Sequence, residues 1–185
     1  MKHKVYQLKD LDQQRLCEYV KLSVAKFEHL FGGRECATEF YYLYNFFSIA
    51  SCNQETYNLY TQVVDCIRDY AELNGLPDEQ VWLQSWINFH KQDDVLKSHS
   101  HDFPLHGYIT LSNQKTDTVF TDGENGSELW RIENKPLQVY LGPGRIHHHV
   151  EVREDFDDER ITLGFDVQMK DMISDNFSFI PIALC

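Results

Sequence analysis

Seven of the nine histidines fall between His90 and His149, a concentration that scattered surface histidines would not produce. Two of them, His99 and His101, are separated by one residue. On an extended segment alternate side chains leave the chain on the same face, so both imidazoles can reach one ion. A third, His148, sits in the run 146–153. Read as a strand, that run puts Ile146, His148, Val150 and Val152 on one face and His147, His149, Glu151 and Arg153 on the other. Only the first face is apolar, so His148 is expected to point inward, and His147 and His149 outward. Three imidazoles and vacant coordination positions suit a single transition-metal ion that must admit exogenous ligands. The competing reading is a core histidine at 148 and a polar loop at 99–101. Asp102 is the alternative third ligand if the chain turns after His101, although on a continuous strand it points away from the ion. His106 stands as a second layer around the site or as a core residue.

Arg160 and Thr162 supply a second kind of chemistry. In the run 160–169, Ile161, Leu163, Phe165 and Val167 form an apolar face and leave Arg160, Thr162 and Gly164 on the other. An arginine and a hydroxyl two residues apart on a strand can grip one carboxylate together, the arginine through its bidentate fork. The competing reading is an arginine in an acidic surface loop, because Asp155, Asp157, Asp158 and Glu159 crowd just before it.

These residues need a scaffold. Helical spacing appears at Leu16, Val20, Val24, Phe27 and Phe31 within 11–31, stopped by Gly32-Gly33, and again at Tyr57, Tyr60, Val63, Val64, Ile67 and Ala71, stopped by Asn74-Gly75 and Pro77. The aromatic-rich stretch 40–50 fits either helix or buried strand. After residue 77 eight short segments follow, at 81–90, 105–111, 118–121, 128–133, 137–141, 146–152, 161–169 and 177–184. Turn sequences such as Asp122-Gly123, Asn125-Gly126 and Gly142-Pro143-Gly144 separate several of them. That density of strands and turns predicts a β-sandwich or jelly roll, and helices followed by strands is an α+β order. The chain is read as one domain over 1–185, mainly helical over 1–77 with a β core over 78–185.

Composition narrows the remaining choices. Twelve Phe, ten Tyr and three Trp in 185 residues are enough for a substantial core. A net charge of −12 argues against a broad nucleic-acid-binding face. No apolar run approaches the roughly 20 residues a membrane span needs, and Met1-Lys-His-Lys lacks the apolar core of a signal peptide. A cytoplasmic location is expected, with Cys17, Cys36, Cys52, Cys66 and Cys185 as reduced, mostly buried thiols. Neither a strand-to-helix phosphate loop nor a Gly-x-Ser-x-Gly elbow is present.

Over 86–167 the pattern resembles the 2-oxoglutarate/Fe(II)-dependent oxygenases, and more narrowly the small prolyl-hydroxylase-like oxygenases of phages and marine bacteria. The matching parts are Trp86-Ile87-Asn88, His99-x-His101, Gly107-Tyr108, Leu141-Gly142-Pro143-Gly144, His148-x-Val150 and Arg160-x-Thr162. The resemblance implies a double-stranded β-helix (cupin-like jelly-roll) core with packing helices in front of it. It further implies His99 and His148 as ligands of Fe(II), with Arg160 and Thr162 on the distal carboxylate of 2-oxoglutarate. Tyr108 and Asn88 become further contacts to co-substrate or substrate. The expected reaction consumes O2, decarboxylates 2-oxoglutarate to succinate and hydroxylates an unactivated C–H bond of a small molecule or peptide. One departure stands out: the family's usual motif is His-x-Asp/Glu, and this chain has a histidine, His101, at the third position. Two alternatives follow, a three-histidine cupin oxygenase that does not use 2-oxoglutarate, and a non-catalytic metal-binding jelly-roll module. The sequence leaves the substrate and the oligomeric state open.

Overall fold

A computed structural model describes residues 1–31, 44–50, 53–76, 80–94, 97–169 and 178–184. Helices come first, apart from one short strand: β1 (Lys4–Gln7), α1 (Gln13–Phe31), α2 (Phe46–Ala50) and α3 (Gln54–Leu73). Then come β2 (Gln80–His90), β3 (Leu105–Thr110), β4 (Thr116–Thr121), β5 (Glu128–Glu133), β6 (Gln138–Pro143), β7 (His147–Val152), β8 (Arg160–Met169) and β9 (Ile180–Ala183).

Local chemistry sets the helix ends. The Asp12 carboxylate accepts from the Arg15 amide at 3.0 Å, and the Asn53 side chain accepts from the Thr56 amide at 3.0 Å, so α1 and α3 each start on a side-chain cap. At the far end of α3, Gly75 takes the left-handed conformation with φ 62°. Its amide donates to Glu72 O and that of Leu76 to Ala71 O, satisfying carbonyls the helix would otherwise leave open.

The strands form two antiparallel sheets, a larger one in the order β1-β6-β3-β8-β2-β9 and a smaller one in the order β5-β4-β7. This is an α+β fold with a double-stranded β-helix core. The helices cover the outer face of the larger sheet. There Leu16, Val20, Leu59, Val63 and Ile67 pack against Leu83, Ile87, Ile109, Leu141, Leu163 and Phe165, all of them fully buried. Each such side chain contributes roughly 1.5–3 kcal/mol by leaving water. The inner face of the larger sheet looks across at the smaller one, as Phe120 on β4 stacking on Tyr140 of β6 at 4.4 Å makes plain. Alternation along each strand therefore separates an apolar layer under the helices from a polar and aromatic layer inside the barrel.

Two parts of the chain depart from the sequence expectation. β1 was not foreseen: four residues, Lys-Val-Tyr-Gln, are too short to show a period. It forms because β6 offers it an edge, while Lys4 and Tyr6 reach Asp69 on α3 at 2.6 and 2.7 Å. The ambiguous stretch 40–50 is helical over Phe46–Ala50. Its first residues, the Gly32-Gly33 and Pro77 stops, Phe177, and Cys36, Cys52 and Cys185 lie outside the described residues. Cys17 and Cys66 are free thiols. No helix among the described residues is long and apolar enough to cross a membrane.

Candidate metal centre

The segment carrying His99 and His101 runs as a short extra rung beside β7. The His99 amide donates to His148 O at 3.1 Å, the His148 amide donates back to His99 O at 2.8 Å, and the His101 amide donates to Gly144 O at 2.9 Å. Pairing His99 with His148 brings two imidazoles of distant sequence side by side. Close approach at Gly144 is needed for this, since a Cβ there would run into the Phe103 carbonyl and lie 3.3 Å from His101 O. Both obstacles are backbone and cannot swing away. Gly144→Ala is expected to cost about 1–3 kcal/mol of stability in urea unfolding and to weaken metal binding by displacing His101.

Nitrogen atoms of His99, His101 and His148 lie within 4.8 Å of one another, one from each ring. The hydrogen bonds of these rings define which nitrogen is free. Nδ1 of His99 faces Lys97 O at 2.9 Å, and Nδ1 of His148 faces Ile146 O at 3.3 Å. A carbonyl only accepts, so each Nδ1 carries the proton and leaves the Nε2 lone pair available. Nε2 of His101 is buried and has no hydrogen-bond partner among the described residues. Burial pushes both His99 and His148 below the ordinary histidine value, His148 strongly, which favours the neutral form that a metal requires.

Beneath these rings lies Asp166 on β8, fully buried and opposite His106 of β3 in the sheet register. Its carboxylate accepts from His101 Nδ1 at 3.1 Å and from His106 Nδ1 at 3.0 Å. The rings of His101 and His106 stack 3.7 Å apart, and the Trp86 ring lies near both, with centroids 5.8 and 6.2 Å away. Burial raises the Asp166 carboxyl, but the His101 and His106 rings outweigh it and hold the group at about 2. Burial holds His106 and His90 at about 4.

The acid sensitivity of the metal-free protein follows. His90 and His106 bind a proton in the unfolded chain near the ordinary 6.5 but in the folded chain only near 4. The unfolded state therefore gains protons first, and stability is lost as pH falls from 6.5 to 4, by up to about 3 kcal/mol per histidine. Asp166 extends the loss below pH 4, since its ordinary value is 3.8 and its folded value about 2. Urea unfolding in the presence of a chelator is expected to show this slope; a flat profile between pH 6.5 and 4 would contradict it.

A second polar group lies on the inward face of β8 that also carries Asp166. Arg160 is 4% exposed, and its Nε donates to Thr116 Oγ1 at 3.2 Å. Asn134 braces this contact: its amide donates to Thr116 Oγ1 at 3.0 Å, while its oxygen accepts from Tyr108 OH at 2.9 Å and from Thr118 Oγ1 at 3.1 Å. Thr162 Oγ1 accepts from Asn88 Nδ2 at 3.4 Å, which leaves its own hydrogen to give. No carboxylate among the described residues lies within ion-pair distance of Arg160, and burial lowers the guanidinium to about 10. Around it Asn88 Oδ1, His90 Nδ1 and Thr110 Oγ1 are buried without partners among the described residues. Buried polar atoms are seldom left unpaired, so this cluster fits a small polar guest: the Arg160 guanidinium and the Thr110 hydroxyl can donate to an anionic group, whereas Asn88 Oδ1 can only accept.

Of the residues singled out in the sequence, the structure thus gathers His99, His101 and His148 in one place and Arg160, Thr162, Asn88 and Tyr108 in another part of the same interior. Asp102 is exposed and belongs to neither group. His147 and His149 are half-buried, with His149 Nε2 3.4 Å from Glu151. Asp166, Thr116, Asn134 and His90 were missed. Asp166 was within reach: it continues the face of Arg160, Thr162 and Gly164 by one more step of two, and a carboxylate inside an apolar strand calls for a partner. Thr116 and Asn134 carry no signal of their own, because threonine and asparagine beside a turn are ordinary.

No family model matches the sequence, and no curated protein matches it. Solved structures do resemble the fold. SnoK, a non-heme α-ketoglutarate-dependent carbocyclase from nogalamycin biosynthesis, is 12% identical, with 98% of this chain and 92% of that chain covered and a TM-score of 0.59. JOX2, solved in complex with 2OG, Fe and JA, is 12% identical over 97% of this chain and 75% of that chain, with a TM-score of 0.48. IDO from Bacillus thuringiensis is 13% identical over 60% of this chain, with a TM-score of 0.44, and this chain covers only 55% of it. At these identities the likeness to SnoK establishes the fold, and the chemistry rests on the site.

Proposed function

We propose that this chain is an Fe(II)- and 2-oxoglutarate-dependent dioxygenase of the 2-oxoglutarate oxygenase superfamily. The observation that carries the proposal is the pairing of two features in one interior. Ring nitrogens of His99, His101 and His148 converge within 4.8 Å of one another, and a buried guanidinium with no carboxylate partner among the described residues lies in the same interior. His99, His101 and His148 would hold the ion, each oriented through its Nδ1–H. Arg160 and Thr162 would bind the distal carboxylate of 2-oxoglutarate, the arginine kept in place by Thr116 and Asn134. Asn88 and Tyr108 would line the same pocket. Phe120, Tyr140 and Trp86 wall the interior with aromatic surface that excludes water. Fe(II), 2-oxoglutarate and O2 together supply oxidative decarboxylation to succinate and hydroxylation of an unactivated C–H bond, here of a small-molecule or peptide substrate.

His101 in place of a carboxylate favours a second reading, a three-histidine oxygenase that takes no 2-oxoglutarate. One experiment separates them. Anaerobic reconstitution with Fe(II) followed by 2-oxoglutarate is expected to develop the visible charge-transfer band of the chelate, and admission of oxygen to release succinate. A protein that binds iron but shows no such band removes the leading proposal and leaves the second. Failure to bind iron at all leaves only a non-catalytic jelly roll.

A further inference from the structure

We infer that Asp166 is a positioning residue for the metal centre, acting through His101: it fixes that ring with Nε2 toward the ion and supplies, from one hydrogen bond away, the negative charge that a carboxylate ligand would supply directly. This role presupposes the metal centre proposed above.

Three observations carry it. His101 Nδ1 lies 3.1 Å from both oxygens of Asp166, and an ionised carboxylate can only accept, so the Nδ1 proton is fixed and Nε2 is left as the donor atom. That Nε2 is buried and has no partner among the described residues, on the side of the ring away from Asp166. Finally, Asp166 is wholly buried and held by a second imidazole, His106, whose Nδ1 donates at 3.0 Å, with the Trp86 ring beside the two histidines. The carboxylate thus cannot turn away to solvent.

Charge explains why such a residue is needed. A divalent ion held by two histidines and a carboxylate has a net charge of one, whereas three neutral imidazoles leave it at two in a buried site. An ionised Asp166 behind His101 restores the balance without occupying a coordination position. Histidine ligands that donate their second nitrogen to a carboxylate are also stronger donors and better oriented. Asp166, His101 and His106 also present donor atoms within 4.8 Å of one another. Separations of 3.0–3.1 Å are hydrogen-bond lengths, and both pairs are complete without a second ion.

Co(II) binding, followed by competition with a chromophoric chelator and by its visible spectrum, tests the role. Wild type is expected to bind one equivalent, and D166N to bind about 10- to 100-fold more weakly with an altered spectrum. In an H101D background, where a carboxylate takes the ring's place, D166N is expected to weaken binding no further. Equal losses in both backgrounds, or none in the wild-type background, would overturn the role of Asp166 while leaving the metal centre standing. Two equivalents in wild type falling to one in D166N would overturn it too, because Asp166 would then be a ligand itself. Wild type that binds no Co(II) would overturn the metal centre and the role of Asp166 together. If D166N does not fold, long-range proton–nitrogen NMR of the metal-free wild type reads the His101 ring directly. A proton on Nδ1 is expected, and one on Nε2 would overturn the assignment.

Discussion

His148→Ala is expected to lower Fe(II) and Co(II) affinity by more than about 100-fold, beyond the range seen when only a supporting residue is removed, and to reduce succinate formation to background. His148 is the deepest of the three candidate ligands, at 5% exposure, and the others cannot close over its absence. His99 is tied to β7 through backbone hydrogen bonds to residue 148, so its position survives the substitution, but its ring meets no partner across the gap. Two imidazoles remain, too few to hold a divalent ion firmly in competition with water. Equilibrium dialysis with metal analysis reads the loss. His149→Ala, one residue away on the opposite face and half-buried beside Glu151, is the control and is expected to leave affinity within about twofold. Metal binding by H148A at wild-type strength would place the ion elsewhere.

Substitution of Arg160 is expected to act on 2-oxoglutarate rather than on the metal. Removing one partner of a buried charge pair costs about 2–5 kcal/mol, which corresponds to a rise in apparent KM for 2-oxoglutarate of roughly 30-fold to several thousand-fold. Lysine is a poor replacement, since a single ammonium cannot present the fork and loses the Nε contact to Thr116. Stability is expected to move the other way. With no carboxylate opposite it among the described residues, the guanidinium is a buried charge whose desolvation the free protein does not recover. Arg160→Met is therefore expected to melt at the same temperature as wild type or higher when 2-oxoglutarate is absent, and to lose the stabilisation that wild type gains when it is added. Fe(II) affinity is expected to be unchanged. An unaltered KM, with succinate still produced, would remove Arg160 from the co-substrate site. A much less stable R160M would show instead that the network with Thr116 and Asn134 is structural.

Much of the scaffold was legible because it repeats. α3 is visible in its three-and-four spacing and in the Asn74-Gly75 stop, and the strands from β2 to β9 in short alternating runs between turns. Alternation also oriented His148 inward and put Arg160 and Thr162 on a common face, since a strand leaves its side chains no other choice. β1 escaped because four residues hold no period and its pairing with β6 spans more than 130 positions.

The sequence by itself determined which residue types were available: a pair of histidines two apart, an inward histidine on a later strand, and an arginine with a hydroxyl beside it. It did so because local geometry depends on near neighbours. Only the tertiary structure decided that His101 rather than Asp102 faces the interior, that Asp166 meets both His101 and His106, and that Arg160 rests on Thr116 with no carboxylate opposite among the described residues. Each of these depends on which strands become neighbours and in what register, and register is set by contacts between residues far apart in the chain.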